Sequence, residues 1–328
     1  MRFPIIIKAL MATFILAILG SQQTARAEGA YPSGPIRMIV GFAPGGVVDL
    51  MARYLAKNIS DDLGQTIIVE NRPGASGNIG AQFVSLAKPD GSTLLVTTVV
   101  HSINASLYSS LPFDPSLSFT AISPIAVAPN SIAVSSSSPF RTLADLVAFA
   151  KSHPGEVTYG SPGVGTLTHI GMEQFAESAG IKLQHISYNG TGPAMNATLS
   201  SEVSMLSTAY GSAAAFVKGG TLRMLGIATA QPSPLAPEVP TIADAAAIPG
   251  YEAMGWVGLL GPANMPKDIA EKLNSQVRKM QDSKEAIEWL ATQGAQTYIL
   301  SPDRFAAVVK GDAEKWGKIV RSLGIKAE

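Results

Sequence analysis

The feature that most constrains this chain is a repeated three-part unit: a short apolar run, a turn built on glycine, then apolar residues spaced three and four apart. Residues 36–42 are such a run, which breaks at Pro44-Gly45-Gly46 before Val48, Met51, Leu55 and Ile59 follow at helical spacing. A second unit begins at 66–69, breaks at Asn71-Arg72-Pro73-Gly74 and continues as a helix through Ile79 to Ala87. A third strand, 93–100, follows the turn Pro89-Asp90-Gly91. Strands separated by helices are joined by crossovers rather than tight hairpins, so the pattern predicts an α/β fold of mainly parallel sheets flanked by helices. The first three strands are expected in one sheet.

Further along, the apolar stretch 122–134 is interrupted by Pro129-Asn130, which marks an expected crossing between two domains. Thr142 and Asp145 have capping-box spacing, and the helix they open should end before Pro154-Gly155. A strand at 157–161, a helix from about 168 to 179 stopped by Gly180, and strands at 183–188, 203–207 and 222–228 come next. The proline-rich segment 231–240 leads to a return crossing near Trp256, and helices follow at 266–283, 284–293 and 302–323. Ile269, Leu273, Val277 and Met280, like Phe305, Val309, Trp316 and Val320, give two of these an apolar face. The expected division is 28–126 with 255–328 as domain 1 and 127–254 as domain 2. Two crossings make a hinge, and a hinge implies a cleft that can close.

Residues 1–27 stand apart. Arg2 and Lys8 precede an apolar run at 9–20, and Ala25-Arg26-Ala27 has the small-x-small form of a cleavage site, so a signal peptide cut after Ala27 is expected. The run is too short for a permanent anchor, which needs roughly 20 residues. With no cysteine, disulfides, a thiolate metal site and a lipid-modified cysteine are all excluded, and the product is expected free in the periplasm. Losing Arg2, Lys8 and Arg26 leaves 21 basic against 24 acidic residues, a net charge of −3. That balance gives no basic surface for nucleic acid or an anionic membrane.

The chemistry-bearing stretches lie where strands become helices. In Phe42-Ala43-Pro44-Gly45-Gly46-Val47-Val48-Asp49 a glycine turn opens directly into a helix, so unpaired N–H groups and the positive helix end meet in one loop. Asp49, in the first turn, would repel an anion, and its expected role is to shape the loop by reaching back to free N–H groups. The plain alternative is that Gly45 and Gly46 only permit a tight turn. Residues 71–80, with Gly74, Ala75 and Ser76, repeat the device, and loops at the carboxyl ends of neighbouring strands face one site.

Ser161, Gly163, Thr166 and His169 form a third such loop; Ser161 and Thr166 are read as ligand contacts, His169 either as a donor or as a helix histidine bonded to backbone. Tyr188 with Gly190 and, after the next strand, Tyr210 line the same cleft or pack beneath it. Catalysis finds little support: there is no G-x-S-x-G elbow, the four histidines lack zinc-enzyme spacing, and Ser161 with His169 has no placed acid. The glycines at 163 and 165 fall short of a dinucleotide fingerprint. No metal or cofactor is expected.

Taken together, 42–53 (FAPGGVVDLMAR), 69–80 (VENRPGASGNIG), 104–125 (NASLYSSLPFDPSLSFTAISPI), 159–170 (YGSPGVGTLTHI), 237–242 (PEVPTI) and 256–262 (WVGLLGP) resemble the Bug family, extracytoplasmic receptors of tripartite tricarboxylate transporters. The likeness runs from about Ile36 to the C-terminus. It implies a two-domain periplasmic binding protein of type II-like Venus-flytrap form, monomeric and without enzymatic activity, which delivers a small organic carboxylate to a two-component membrane permease. It also implies that backbone groups and ordered waters of the two glycine loops hold one carboxylate, pointing to Gly45, Gly46, Gly74 and Ala75, while Ser161, Thr166 and His169 select the rest. Ser204 and Thr208-Ala209-Tyr210 depart from the family's more polar pattern, as do Val99 and Val100 before His101, which joins the expected site. A more apolar pocket would admit an aromatic or less hydroxylated acid beside di- and tricarboxylates. Two other readings compete: a subunit presenting its ligand to a membrane sensor kinase, and an exported hydrolase using Ser161 and His169.

Overall fold

Strand β1 (Ile36–Val40) is central because nearly all of it is buried, and it pairs in parallel with β2 (Ile67–Asn71) on one side and β3 (Thr93–Thr98) on the other. A computed structural model describes residues 31–326; the expected signal peptide lies outside them. Helix α1 (Val47–Leu63) follows β1 and buries Met51, Leu55 and Ile59, the residues whose spacing predicted it. Helix α2 (Asn78–Ser85) follows β2. The third strand stops earlier than its apolar run suggests: α3 (Val100–Leu107) starts at once, with His101, Ile103, Asn104 and Leu107 turned inward. A helix buried on several sides has no clean polar face, so its period is hard to read from the sequence.

The long strand β4 (Phe119–Ser135) passes through the expected break without interruption. Up to Pro129 its partner is the antiparallel β9 (Met254–Pro262), in which Pro129 faces Met254. From Asn130 onward its partners are β7 (Met205–Ala209) and β8 (Leu222–Ile227), both antiparallel. The change of partner therefore falls on the Pro129-Asn130 pair that marked the expected crossing, where a residue without an N–H leaves a gap in the ladder.

Strands β5 (Thr158–Ser161) and β6 (Gln184–Ser187) complete the order β2-β1-β3-β9-β4-β7-β5-β6, with β8 also on β4. The sheet is mixed. The parallel strands sit at its two ends, β2-β1-β3 and β7-β5-β6, and the antiparallel β4 and β9 join them.

In the second half, α4 (Leu143–Ser152) opens with the expected capping box of Thr142 and Asp145. Helices α5 (Leu167–Ala179), α6 (Thr191–Leu199) and α7 (Tyr210–Lys218) each follow a strand, and a short α8 (Ile242–Ala245) precedes the return. Helices α9 (Lys267–Gln281), α10 (Lys284–Thr292) and α11 (Pro302–Ser322) go back over the first half. Trp256 on β9 lies edge-on to Phe305 of α11, and its indole N–H donates to Asp312 at 2.8 Å. One apolar cluster runs through both halves, from Ile39 and Leu95 to Ile132, Tyr159 and Phe175.

Candidate functional site

The loop after β1 is shaped by one buried carboxylate. Asp49, 2 % exposed, accepts at Oδ2 from the Gly45 N–H (2.9 Å) and Arg53 Nε (3.0 Å), and at Oδ1 from Asn71 Nδ2 (2.9 Å). Asn71 Nδ2 also donates to the Phe42 carbonyl at 3.0 Å, and Arg53 Nη2 donates to Asn71 Oδ1 at 3.1 Å. This network ties the first loop to the second. Burial opposes the charge on Asp49, but hydrogen bonds from Arg53, Gly45 and Asn71 outweigh it and hold its pKa below the usual value. The Asp49 carboxylate thus reaches back to a loop N–H and is taken up by bonds within and between the two loops. Gly46 begins α1 in extended conformation and no side chain caps the helix.

The second loop is unusual in its backbone. Gly74, Ala75, Ser76 and Gly77 have φ of 130°, 47°, 54° and 89°, four successive positive values, two of them in residues with a Cβ. Such left-handed residues cost roughly 1–2 kcal/mol each, and strain of this kind concentrates at binding sites. Loop one closes on it: a Cβ at Gly41 would stand 2.7 Å from the Gly77 Cα, and the Phe42 ring is 3.3 Å from where a Cβ of Gly77 would be. Helix α2 then starts from Gly77, again with no side-chain cap. Two helix starts without side-chain caps, each with its positive dipole end, are thus packed side by side; at α2 the N–H groups of Gly77 and Asn78 already donate to the Gly74 and Ala75 carbonyls.

The opposite wall is built from side chains. Ser161 Oγ lies 2.7 Å from His185 Nε2, and the His185 ring stacks on His169 at 4.0 Å and on Tyr159 at 4.8 Å. The Gly165 N–H donates to His169 Nδ1 at 3.1 Å, which leaves the ring proton on Nε2. Burial, and for His169 the neighbouring His185, lowers the pKa values to about 3 for His169 and about 4 for His185, so both rings are neutral. Thr166 caps α5: its Oγ1 accepts from the His169 N–H at 3.3 Å and donates to the Gly163 carbonyl at 2.7 Å. The next loop lies alongside, with the Gly190 N–H donating to the Pro162 carbonyl at 3.0 Å. Gly190 and Ala209 begin α6 and α7 without side-chain caps.

The two walls touch. A Cβ at Gly165 would stand 2.7 Å from Leu107 of α3, and Leu167 lies over Gly255 of β9. The loops holding Phe42, Ala43, Gly45, Gly46, Gly74, Ala75 and Ser76 are joined on one side, and those holding Ser161, Gly163, Thr166, His169 and Gly190 on the other.

Three expected contacts are placed differently. His101 is 2 % exposed, bonds through Nε2 to the Pro115 carbonyl at 2.9 Å and packs edge-on to Phe119. Burial drops its pKa to about 4, so it is a neutral core residue rather than a ligand contact. Tyr188 lays its ring beside Gly160 and donates its hydroxyl to Glu202 at 2.9 Å, and Tyr210 donates to the Leu235 carbonyl at 2.8 Å; both hydroxyls are engaged in packing. Ser161 pairs with His185, not with His169, which has the helix-and-backbone role given as its alternative. Sequence reasoning missed Asn71, Arg53, His185 and Asn104. Only Arg53 left a local signal, four residues after Asp49 on one helix face.

The sheet order and crossing strands are those of periplasmic solute-binding proteins, and solved structures agree. A structure described as a periplasmic transporter is 33% identical and superposes with a TM-score of 0.76 over 90% of this chain and 99% of its own. Rpa4515 of R. palustris, solved with adipate, is 30% identical with a TM-score of 0.77 over 90% and 99%. MatC of Rhodopseudomonas palustris, solved with malate, is 27% identical with a TM-score of 0.73 over 88% and 100%. Among sequences, BugT of Bordetella pertussis is 32% identical over 298 residues, 90% of this chain and 91% of that protein. The model of the tripartite tricarboxylate transporter family receptor, TctC, matches residues 51–325, and the chain belongs to that family. Its relatives are solute-binding receptors, not enzymes.

Proposed function

We propose that this chain captures one small organic carboxylate between the two halves of its sheet and hands it to a two-component membrane permease. The two halves, 28–126 with 255–328 and 127–254, act as lobes hinged at β4 and β9. The observation that carries the reading is the pair of helix starts without side-chain caps at Gly46 and Gly77, packed together, with the two arginines of these loops already engaged elsewhere. Arg53 is held by Asp49 and Asn71, and Arg72 by Glu70 and the face of Phe83. Amides at a helix start bind an anion without a fixed charge, which leaves the ligand easy to release.

Phe42, Ala43, Gly45, Gly46, Gly74, Ala75 and Ser76 form the carboxylate end of this site; Gly163, Thr166 and Gly190 select the remainder, with Ser161 and His169 buried behind them as supports of that loop. Adipate and malate in two relatives support a dicarboxylate or a similar acid. The receptor works as a monomer outside the cytoplasmic membrane, after cleavage following Ala27.

Isothermal titration of the purified protein with adipate, malate, citrate, benzoate, a neutral sugar and an amine tests this. Micromolar or tighter binding of at least one acid, with none of the neutral or cationic probes, is expected. Binding of the sugar or amine alone overturns it.

A further inference from the structure

The strained turn at Gly74–Gly77 is held from below by one side chain. Asn104, on α3 and 1 % exposed, donates through Nδ2 to the Ser76 carbonyl at 3.0 Å and to Asn78 Oδ1 at 2.9 Å. At the other end of the same peptide, the Gly77 N–H donates to the Gly74 carbonyl at 3.0 Å. The Ser76-Gly77 peptide is therefore pinned at both ends. If it flipped, its carbonyl would leave the buried amide of Asn104 and turn into the loop, bringing partial negative charge where the loop should meet an anion. Tyr108, just past the end of α3, adds a weaker tie from its hydroxyl to Ser76 Oγ at 3.2 Å.

Stability alone does not explain this arrangement. Asn104 Oδ1 and Asn78 Nδ2 are buried without a hydrogen-bond partner, and each such atom costs about 1–3 kcal/mol. An apolar pair would avoid that cost but could not hold the Ser76 carbonyl. Leu107, three residues after Asn104, is the residue that meets Gly165 of the opposite wall. One helix thus fixes the turn and touches the facing loop.

We propose that Asn104 is the positioning residue of the carboxylate loop: it holds the left-handed Gly74–Gly77 turn in its binding form before any acid arrives, and so sets affinity without touching the ligand. This rests on the receptor reading above. Asn104→Ala removes the donor and Asn104→Asp replaces it with a group that donates only when protonated, which burial favours.

Two readouts test the role. By titration with whichever of adipate, malate, citrate or benzoate the wild type binds most tightly, Asn104→Ala should weaken binding about tenfold or more at every pH from 5 to 8. Asn104→Asp should bind as weakly as the alanine variant at pH 8 and recover toward wild type at pH 5, while the wild type changes little. An Asn104→Asp affinity that stays at the level of the alanine variant at pH 5, in protein shown by its melt to be folded there, overturns the proposal. Amide hydrogen exchange needs no ligand: Gly77 should lose protection in Asn104→Ala while α1 keeps its own. Unchanged Gly77 protection also overturns it. If the wild type binds none of the acids, the receptor reading fails, and the exchange result still decides whether Asn104 holds the turn. Should the alanine variant not fold, Tyr108→Phe must show a smaller loss of Gly77 protection, and its absence counts against the proposal.

Discussion

The loops after β1 and β2 leave their helices uncapped, whereas the loop after β5 closes its helix with Thr166 and fills its turn with two stacked imidazoles. In the first wall the proposed ligand groups are peptide amides, and Asp49, Asn71 and Asn104 hold the loops that carry them. The second is held by Ser161, Thr166, His169 and His185, whose positions depend on one another. A backbone anchor is indifferent to which residues carry it, so it suits the group that every ligand of a receptor family shares. A side-chain wall changes with each substitution, so it suits the part that differs. The comparison also separates how the walls should fail.

Acid should act first and most strongly on the second wall. His169 and His185 have folded pKa values of about 3 and about 4, below the ordinary 6.5. Their contribution is complete above pH 6.5 and is lost as pH falls toward those values, because the unfolded rings take up protons that the folded ones refuse. By pH 5 the loss is on the order of 2 kcal/mol for buried His169 and less for the more exposed His185. Melting temperature followed from pH 8 to 4.5 should stay level and then decline. His101, with a pKa of about 4, adds to the slope from behind the first wall, so the second wall's share is the part that vanishes in a His169→Gln, His185→Gln double variant. Asp49 has its pKa lowered from 3.8, so its contribution fades only below that value. No decline down to pH 4.5, or a decline unchanged in the double variant, would break the comparison.

Gly41→Ala strikes the joint of the first wall. The new Cβ would meet backbone at 2.7 Å on Gly77, and backbone cannot swing aside as a side chain can. A cost of about 2–3 kcal/mol and loss of measurable acid binding are expected by denaturant melts and calorimetry. Full binding in a folded variant would mean that the two loops need not touch.

The smallest of the three effects is expected from Asp49→Ala, about 2 kcal/mol in stability, since Arg53 and Asn71 can reach water or each other while the Gly45 N–H stays unmatched. Affinity should fall about tenfold, and Asp49→Asn, which keeps one acceptor oxygen, should fall less. Tighter binding of an anion by Asp49→Ala would show that its charge repels the ligand more than its hydrogen bonds shape the loop.

Several elements were legible because their signals are local. The spacing of Met51, Leu55 and Ile59 gave α1, Thr142 with Asp145 gave the start of α4, and Gly180 gave the end of α5. The break at Pro129-Asn130 was visible too, although it marks a change of partner within β4 rather than an end of the strand. Helix α3 escaped notice because it is buried on too many faces to show a period. At the site, the glycine turns could be read and their fixings could not. His101 looked like a polar residue near a strand end, and only the packing of Phe113 and Phe119 around it shows that it belongs to the core.

The sequence by itself determined where strands end in glycine and where helices begin without a cap, since turn geometry and helix ends depend on residues within a few positions of one another. Tertiary structure alone decided which loops meet. Asn71 reaches Asp49 from 22 residues away and Asn104 reaches Ser76 from 28, and the Cβ-free contact of Gly41 with Gly77 exists only once β1 and β2 are paired. Such contacts are set by the register of strands and the packing of helices, which no short stretch of chain encodes.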